Sequence, residues 1–120
     1  MKVIWNKQYQ EQFSTFSRRT EKWMPWRHRL SQDINNADIP NWPPKNGRYK
    51  LDIRVFYKPG NSGLSNSAID NAAKIIVDGV FGTVKSGTGP DRFLYEMSIV
   101  KARNIYDGLE VTLYDLQNKE

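Results

Sequence analysis

The most restrictive feature of the sequence is a run of apolar residues at helical spacing between Ser67 and Gly82. The apolar positions follow an i, i+3, i+4, i+7, i+8, i+11 pattern and comprise Ile69, Ala72, Ala73, Ile76, Val77 and Val80. This spacing places all of them along one side of an α-helix. The sequence therefore predicts a helix that begins at Ser67 and buries one face against a core.

The segments on both sides of this helix have the pattern of strands. From Arg48 to Tyr57 apolar and polar residues alternate, which is typical of a half-buried strand. Two more strands are predicted at about residues 93–102 and 108–115, joined by a turn that ends in Asp107-Gly108. Loops rich in glycine, serine and asparagine separate these elements, at residues 58–66 and 82–90.

The N-terminal part of the chain adds one strand and one helix to this pattern. Residues 2–5 form a short apolar strand, and Pro25 suits the first turn of a helix in which Trp26, Leu30 and Ile34 recur at helical spacing. A proline-rich connection follows at residues 37–47. The order β, α, β, α, β, β predicts one α+β domain over residues 1–120, with two helices packed on a small mixed sheet.

Composition excludes several classes of protein. The chain has no cysteine, which excludes disulfides and thiolate metal sites. No stretch approaches the roughly 18 apolar residues that span a bilayer, so no membrane association is expected. The simplest expectation is a cytoplasmic protein.

Charge is distributed unevenly between the two halves. Residues 1–60 carry twelve Lys/Arg and five Asp/Glu, a net of +7, whereas residues 61–120 carry six and eight, a net of −2. A basic surface attracts phosphates and a cluster of carboxylates can hold cations, a combination suited to an enzyme acting on nucleic acid. The alternative is a solvated surface with no such role.

Several charged residues on and after the predicted central helix form a candidate site. Asp70-Asn71 opens the helix, Lys74 follows one turn later, and Asp91 stands about twenty residues further on, before the strand that starts near Phe93. The structural alternative is that Asp70 interacts with the helix dipole and pairs with Lys74 at i, i+4.

This arrangement resembles the RusA-like family of Holliday junction endonucleases. The resemblance covers about residues 48–116 and rests on an Asp-x-Asp-Asn motif that opens a helix, with another aspartate before the next strand. It implies a homodimer that cuts four-way DNA junctions with Mg²⁺. By position, Asp70 and Asp91 would be metal ligands, and Lys74 would assist catalysis as a cation. Carboxylate oxygens suit Mg²⁺, which polarises a phosphate and activates the attacking water.

The sequence departs from the family motif at one position. Ala68 stands where the family has its first aspartate, so one expected metal ligand is absent. Glu96, in the strand after Asp91, is a possible supplement.

A second candidate surface lies in the basic half. Five cations run among the aromatic residues Phe13, Phe16, Trp23 and Trp26, namely Arg18, Arg19, Lys22, Arg27 and Arg29. Such cations make salt-dependent phosphate contacts, and aromatic rings can stack on bases at an opened junction. The alternative is that at least one of the two tryptophans belongs to the core. The single histidine, His28, is expected to face solvent or phosphate rather than to catalyse.

Two other functions stay open at this point. The chain could be a catalytically impaired relative that binds branched DNA or another nucleic acid without cutting. It could also be a basic module that binds an acidic protein.

Overall fold

The computed structural model of the protein describes residues 1–11, 13, 24–42, 44, 46–60, 69–82 and 90–117, without the side chains of residues 24, 25, 69–71, 90 and 91. Four strands form one sheet: β1 (Lys2–Tyr9), β2 (Tyr49–Tyr57), β3 (Leu94–Arg103) and β4 (Gly108–Asp115). Their order across the sheet is β1-β4-β2-β3, which leaves β1 and β3 at the two edges.

Two helices, α1 (Met24–Asn35) and α2 (Ile69–Phe81), pack on this sheet, and a short 3-10 helix (Pro90–Phe93) precedes β3. The fold is α+β, as the element order predicts. No helix among the described residues is long and apolar enough to cross a membrane.

The sheet is mixed because β2 and β3 run parallel, whereas β4 runs antiparallel to both of its neighbours, β1 and β2. Parallel strands need a crossover connection, and α2 lies in that connection. The chain then passes from β3 to β4 over the end of β2. Asn104 donates from its backbone N to the Tyr57 carbonyl at 2.9 Å, and the Asp107 carboxylate accepts from the Lys58 backbone N at 2.8 Å.

Alternation along the strands produces one buried face and one polar face. The buried side chains of β2 and β4 are Leu51, Ile53, Val55, Leu109, Val111 and Leu113, each at most 3% exposed. The helices contribute Leu30, Ile34, Ile76 and Val80 to the same core. The opposite face carries the polar residues of the strands. There Asn6 and Gln8 of β1 both donate to the Glu110 carboxylate of β4, at 3.2 and 3.0 Å.

The predicted elements differ from the observed ones mainly at their ends. β1 continues to Tyr9, well beyond Trp5, because its polar residues face solvent on an edge strand while Tyr9 is buried. Ser67, the predicted first residue of the central helix, lies outside the described residues. Most of the two loops predicted at residues 58–66 and 82–90 also lies outside them.

Candidate functional site

Helix α2 is buried on more of its circumference than its apolar spacing predicts. In addition to the predicted positions, Ile75 and Phe81 are buried, at 6% and 8% exposure. Two contacts extend the buried face. α1 packs against α2 from a second side, where a Cβ on Gly79 would lie 2.9 Å from the Leu30 Cβ and 3.0 Å from the Arg27 carbonyl oxygen. Phe81 packs against the rings of Trp42 and Tyr49. Lys74, by contrast, is exposed. The helix therefore presents Lys74 to solvent, one turn after Asp70.

The backbone locates the two candidate carboxylates. Asp70 lies in the first turn of α2, and Asp91 lies in the 3-10 helix immediately before β3. Both side chains lie outside the description, as does Ala68 altogether. Among the described residues no group of three or more His, Asp or Glu side chains could hold a metal ion.

The direction of α2 relative to β2 and β3 shows at which end of the sheet each candidate aspartate lies. Phe81, the last residue of α2, packs against Tyr49 with ring centroids 6.0 Å apart. Tyr49 and Leu94 are the paired first residues of β2 and β3. The carboxyl end of α2 thus lies at the amino end of both strands, and its first turn is about 16 Å away at about 1.5 Å per residue. Asp91, three residues before Leu94, lies toward the Phe81 end. The backbone therefore places Asp70 and Asp91 toward opposite ends of α2, so their convergence on one ion stays a prediction that this placement does not favour.

Two of the five basic candidates lie among the described residues, in α1. Arg29 is engaged by the protein itself: its guanidinium donates to both carboxylate oxygens of Glu11, at 3.1 and 2.6 Å. The same group lies over the rings of Trp26 and Tyr9, 4.6 and 5.1 Å from their centroids. Arg27 is half-buried. The remaining three, Arg18, Arg19 and Lys22, lie outside the described residues.

The aromatic residues of this segment that the structure describes belong to the core around Arg29. Trp26 is 6% exposed and packs edge-on against Tyr9, with ring centroids 5.1 Å apart. Phe13 is buried as well, 5.2 Å from Trp26. The prediction that at least one tryptophan belongs to the core is confirmed for Trp26. Trp23 and Phe16 lie outside the described residues.

Hydrogen bonds and an ion pair stabilise the cluster of side chains around Arg29. Tyr9 donates a hydrogen bond to the Asp33 carboxylate. Burial, together with that hydrogen bond, raises the pKa of Tyr9 above its usual value of 10.0. The hydrogen bonds from Arg29 lower the pKa of Glu11 and are the main cause of the raised pKa of Arg29. The pKa shifts therefore arise from contacts that hold the N-terminal segment with β1 against α1.

Sequence reasoning missed another pair of cations. Lys58 directly follows β2 and Arg103 ends β3, and both side chains are exposed. Neither forms an ion pair within the described part of the chain. Parallel pairing of Tyr57 with Arg103 brings these two positions to the same end of the sheet. Each cation follows a strand in the sequence, but only the parallel pairing, which the sequence does not disclose, shows that they are neighbours.

An open groove of about 1070 Å³ lies at the other end of the sheet. The loop after α1 lines it together with Trp42, Tyr49 and Asp115. Lys74, Arg27 and Arg29 do not line it. The groove is therefore separate from the described candidate residues.

Comparison with known proteins adds no assignment. The chain matches no protein-family model, and no curated protein sequence matches it significantly.

Proposed function

We propose that this chain binds four-way DNA junctions and hydrolyses a phosphodiester bond with Mg²⁺, as a RusA-like endonuclease. The observation that supports this best is the β2–α2–β3–β4 unit. This unit has the same order of parts as the RusA-like family over residues 48–116: a strand, a helix that opens with Asp70-Asn71, an aspartate before the next strand, and a closing strand.

The donor set of the two aspartates fits magnesium. Mg²⁺ is usually held by one or two carboxylates and completes its octahedral shell with water and substrate phosphate oxygens. Asp70 supplies one such carboxylate, beside Lys74, and Asp91, which lies toward the other end of α2, supplies a second only if the two converge; Ala68 supplies no donor. When bound, the ion polarises the phosphate and lowers the pKa of the attacking water.

Lys74 is the other group with a role in the reaction. Its side chain is exposed, and it lies one turn from Asp70 on the same helix. An ammonium group beside a phosphate offsets the negative charge that builds up as the phosphodiester is attacked. Lys74 therefore stabilises the phosphate or the leaving oxygen.

Phosphate contacts away from the reacting bond need cations that the protein does not already neutralise. Lys58 and Arg103 form no ion pair with any described residue. They lie at the carboxyl end of β2 and β3, which is the end toward which the first turn of α2 lies. Arg29 is already held by Glu11. The DNA-binding surface therefore includes Lys58 and Arg103 beside Lys74, and Arg29 contributes mainly to folding.

Incubation of an end-labelled four-way junction with the protein and Mg²⁺ or Mn²⁺ tests the proposal. The parent protein should produce paired nicks, and Asp70→Asn and Asp91→Asn should abolish them while junction binding persists. Asp38→Asn is the matched control, because Asp38 is an exposed acid whose φ of 56° asparagine tolerates. Cleavage that survives replacement of both Asp70 and Asp91 would refute the assigned site.

A second candidate function follows from Ala68. With one carboxylate fewer than the family motif, the chain could bind junctions without cutting them. Junction binding with no nicks in either metal, in the same experiment, would establish this second function in place of the first.

A further inference from the structure

Strand β3 lies at one edge of the sheet, and no described residue pairs with its outer side. It is ten residues long. After a bulge at Tyr95, it keeps an uninterrupted register with β2 from Glu96 to Arg103. A long, regular edge strand presents a row of N–H and C=O groups on which another strand can pair.

Hydrogen bonding at the end of β3 shows which of its residues turn their backbone groups outward. The Asn104 backbone N donates to the Tyr57 carbonyl at 2.9 Å, so the backbone of Asn104 faces β2. Successive residues of a strand direct their N–H and C=O groups to opposite sides, and this alternation extends back along the uninterrupted register. The outward backbone groups therefore belong to alternate residues of β3, namely Met97, Ile99, Lys101 and Arg103.

The side chains of the same four residues share one face of the sheet. In the register with β2, Met97 and Ile99 lie beside buried side chains of that strand, on the side that the helices cover. Met97 is nevertheless 44% exposed, and Ile99 is half-buried. Lys101 and Arg103 continue this face with basic side chains. On a single face, the edge of β3 thus has an apolar part followed by a basic part.

This pattern determines which kind of strand fits the edge. Apolar side chains opposite Met97 and Ile99 would remove exposed apolar surface from water, and an acidic side chain opposite Arg103 would complement its charge. Arg103 is exposed and forms no ion pair with any described residue. A second copy of β3 does not supply that acid, because Glu96 is the single acidic residue of the strand and lies on the opposite face.

We propose that the outer edge of β3 binds an extended segment of a partner protein as an added antiparallel strand, with apolar residues opposite Met97 and Ile99 and an acidic residue opposite Arg103. Antiparallel pairing is slightly more stable per residue than parallel pairing. Backbone hydrogen bonds provide the affinity of such an added strand, and its alternate side chains provide the specificity. The partner segment is therefore acidic at one end and apolar at the other, at alternate positions.

A synthetic peptide tests the pairing. Glu-Thr-Thr-Thr-Val-Thr-Val, labelled with fluorescein at its N-terminus, sets its glutamate opposite Arg103 and its valines opposite Ile99 and Met97, and fluorescence anisotropy should show saturable binding. In an antiparallel pair, each outward residue of β3 exchanges both backbone hydrogen bonds with the residue opposite. N-methylation of the two valines should therefore weaken binding about tenfold or more. N-methylation of the threonines opposite Ser98 and Val100 is the matched control and should leave the affinity unchanged.

A charge exchange tests the preference for an acidic residue. Arg103→Glu should weaken binding of this peptide about fivefold, and a peptide with lysine in place of the glutamate should restore it. Lys7→Glu is the matched control, because Lys7 is an exposed cation on the other edge strand, β1. It should leave the affinity unchanged, and circular dichroism checks that both variants fold.

The inference does not depend on the proposed function, because peptide binding is measured without DNA or metal. A protein that binds the peptide and cuts no junction supports the added strand and counts against the nuclease. Absence of saturable binding at millimolar peptide, equal binding of the valine-methylated peptide, or an effect of Arg103→Glu that the lysine peptide does not reverse overturns the inference. A parent dimer that Met97→Lys converts to a monomer would also overturn it, because a second copy would then occupy the edge.

Discussion

Arg29 combines an ion pair with ring stacking, and the combination determines what this cation can do. Its fork of donors matches the Glu11 carboxylate, and its Cζ lies over the Trp26 ring, 4.6 Å from the ring centroid. The guanidinium side chain is 38% exposed and that of Glu11 is 56% exposed, so solvent screens the ion pair. The stacking on a buried tryptophan is less affected. Arg29 therefore joins the chain after β1 to α1.

Arg29→Ala should lower the free energy of unfolding by about 1–2 kcal/mol, since it removes the ion pair and the packing of the side chain on Trp26. Urea denaturation followed by tryptophan fluorescence measures this. Arg103→Ala, which removes an exposed cation at a strand end, should change stability by less than about 0.5 kcal/mol. Equal effects of the two substitutions would contradict a structural role for Arg29.

The environment of Tyr9 predicts how the stability of the fold depends on alkaline pH. Its pKa is raised in the folded state, so its neutral form stabilises the fold fully below the unfolded value of 10.0, and this contribution is lost as pH rises above it. Tyr9→Phe should cost about 1 kcal/mol at neutral pH through the lost hydrogen bond to Asp33. The difference between the two proteins should then shrink above pH 10.0.

Chemical denaturation in a pH series checks this. Tyr106→Phe is the control, because Tyr106 is 40% exposed and lies outside the cluster. A difference between parent and Tyr9→Phe that stays constant through this range would show that the Tyr9 hydroxyl contributes nothing to the alkaline transition.

Ala68 is the residue at which the resemblance can be restored. Ala68→Asp adds a carboxylate two residues before Asp70, near the start of α2, where a negative charge interacts favourably with the helix dipole. The variant should fold normally, bind Mg²⁺ or Mn²⁺ more tightly and cut junctions faster than the parent. Asp70→Asn in the same background should remove the gain and leave DNA binding intact. A folded, junction-binding variant with no gain in metal affinity or cleavage would contradict the assignment of position 68.

At the scale of elements, the contact between α1 and α2 depends on close approach at Gly79. Glycine inside a helix normally costs about 0.5–1 kcal/mol relative to alanine. Here a Cβ would lie only 2.9 Å from the Leu30 Cβ and 3.0 Å from the Arg27 carbonyl oxygen, which is closer than a real Cβ tolerates. Both groups belong to α1 and neither is the end of a flexible side chain. The glycine therefore allows two helices to pack more closely than a side chain would permit.

Gly79→Ala should destabilise the protein by about 1–3 kcal/mol, the cost of overpacking a core. Helix propensity alone predicts the opposite sign, a gain of about 1 kcal/mol. Thermal unfolding distinguishes the two. Lys74→Ala is the control on the same helix, because its exposed side chain makes little contribution to the core. A higher melting temperature for Gly79→Ala would show that α1 and α2 do not pack as described.

The predictability of the elements follows from how strongly each is patterned. β2 and α2 are predicted nearly to their ends, because alternation at Leu51, Ile53 and Val55 and helical spacing at Ile76 and Val80 directly record which sides are buried. β1 is predicted too short, because after Trp5 its edge position lets three polar residues precede the buried Tyr9. Ile75 was not predicted as buried, since local periodicity carries no information on a second helix packed from the side.

At the scale of the whole molecule, the sheet order limits what the sequence can predict about the site. The fold class follows from the element order, and Lys74 is exposed as its helix position implies. The parallel pairing of β2 with β3 depends on contacts between distant segments, so the neighbouring positions of Lys58 and Arg103 could not be predicted. The basic residues of α1 illustrate the converse: charge in the sequence indicates phosphate binding, but only the fold shows that Arg29 is already paired.

Junction binding as a function of salt tests the central claim most directly. Fluorescence anisotropy with a labelled four-way junction should show tighter binding than to duplex of the same length. The logarithm of the association constant should fall linearly with the logarithm of the salt concentration, with a slope of about −0.9 per phosphate contacted. Replacing Lys58 and Arg103 together with alanine should reduce that slope by about 2, one phosphate each, whereas Lys2→Ala, at the opposite end of the sheet, should leave it unchanged. Affinity that is independent of salt, or no higher for the junction than for duplex, would contradict the account.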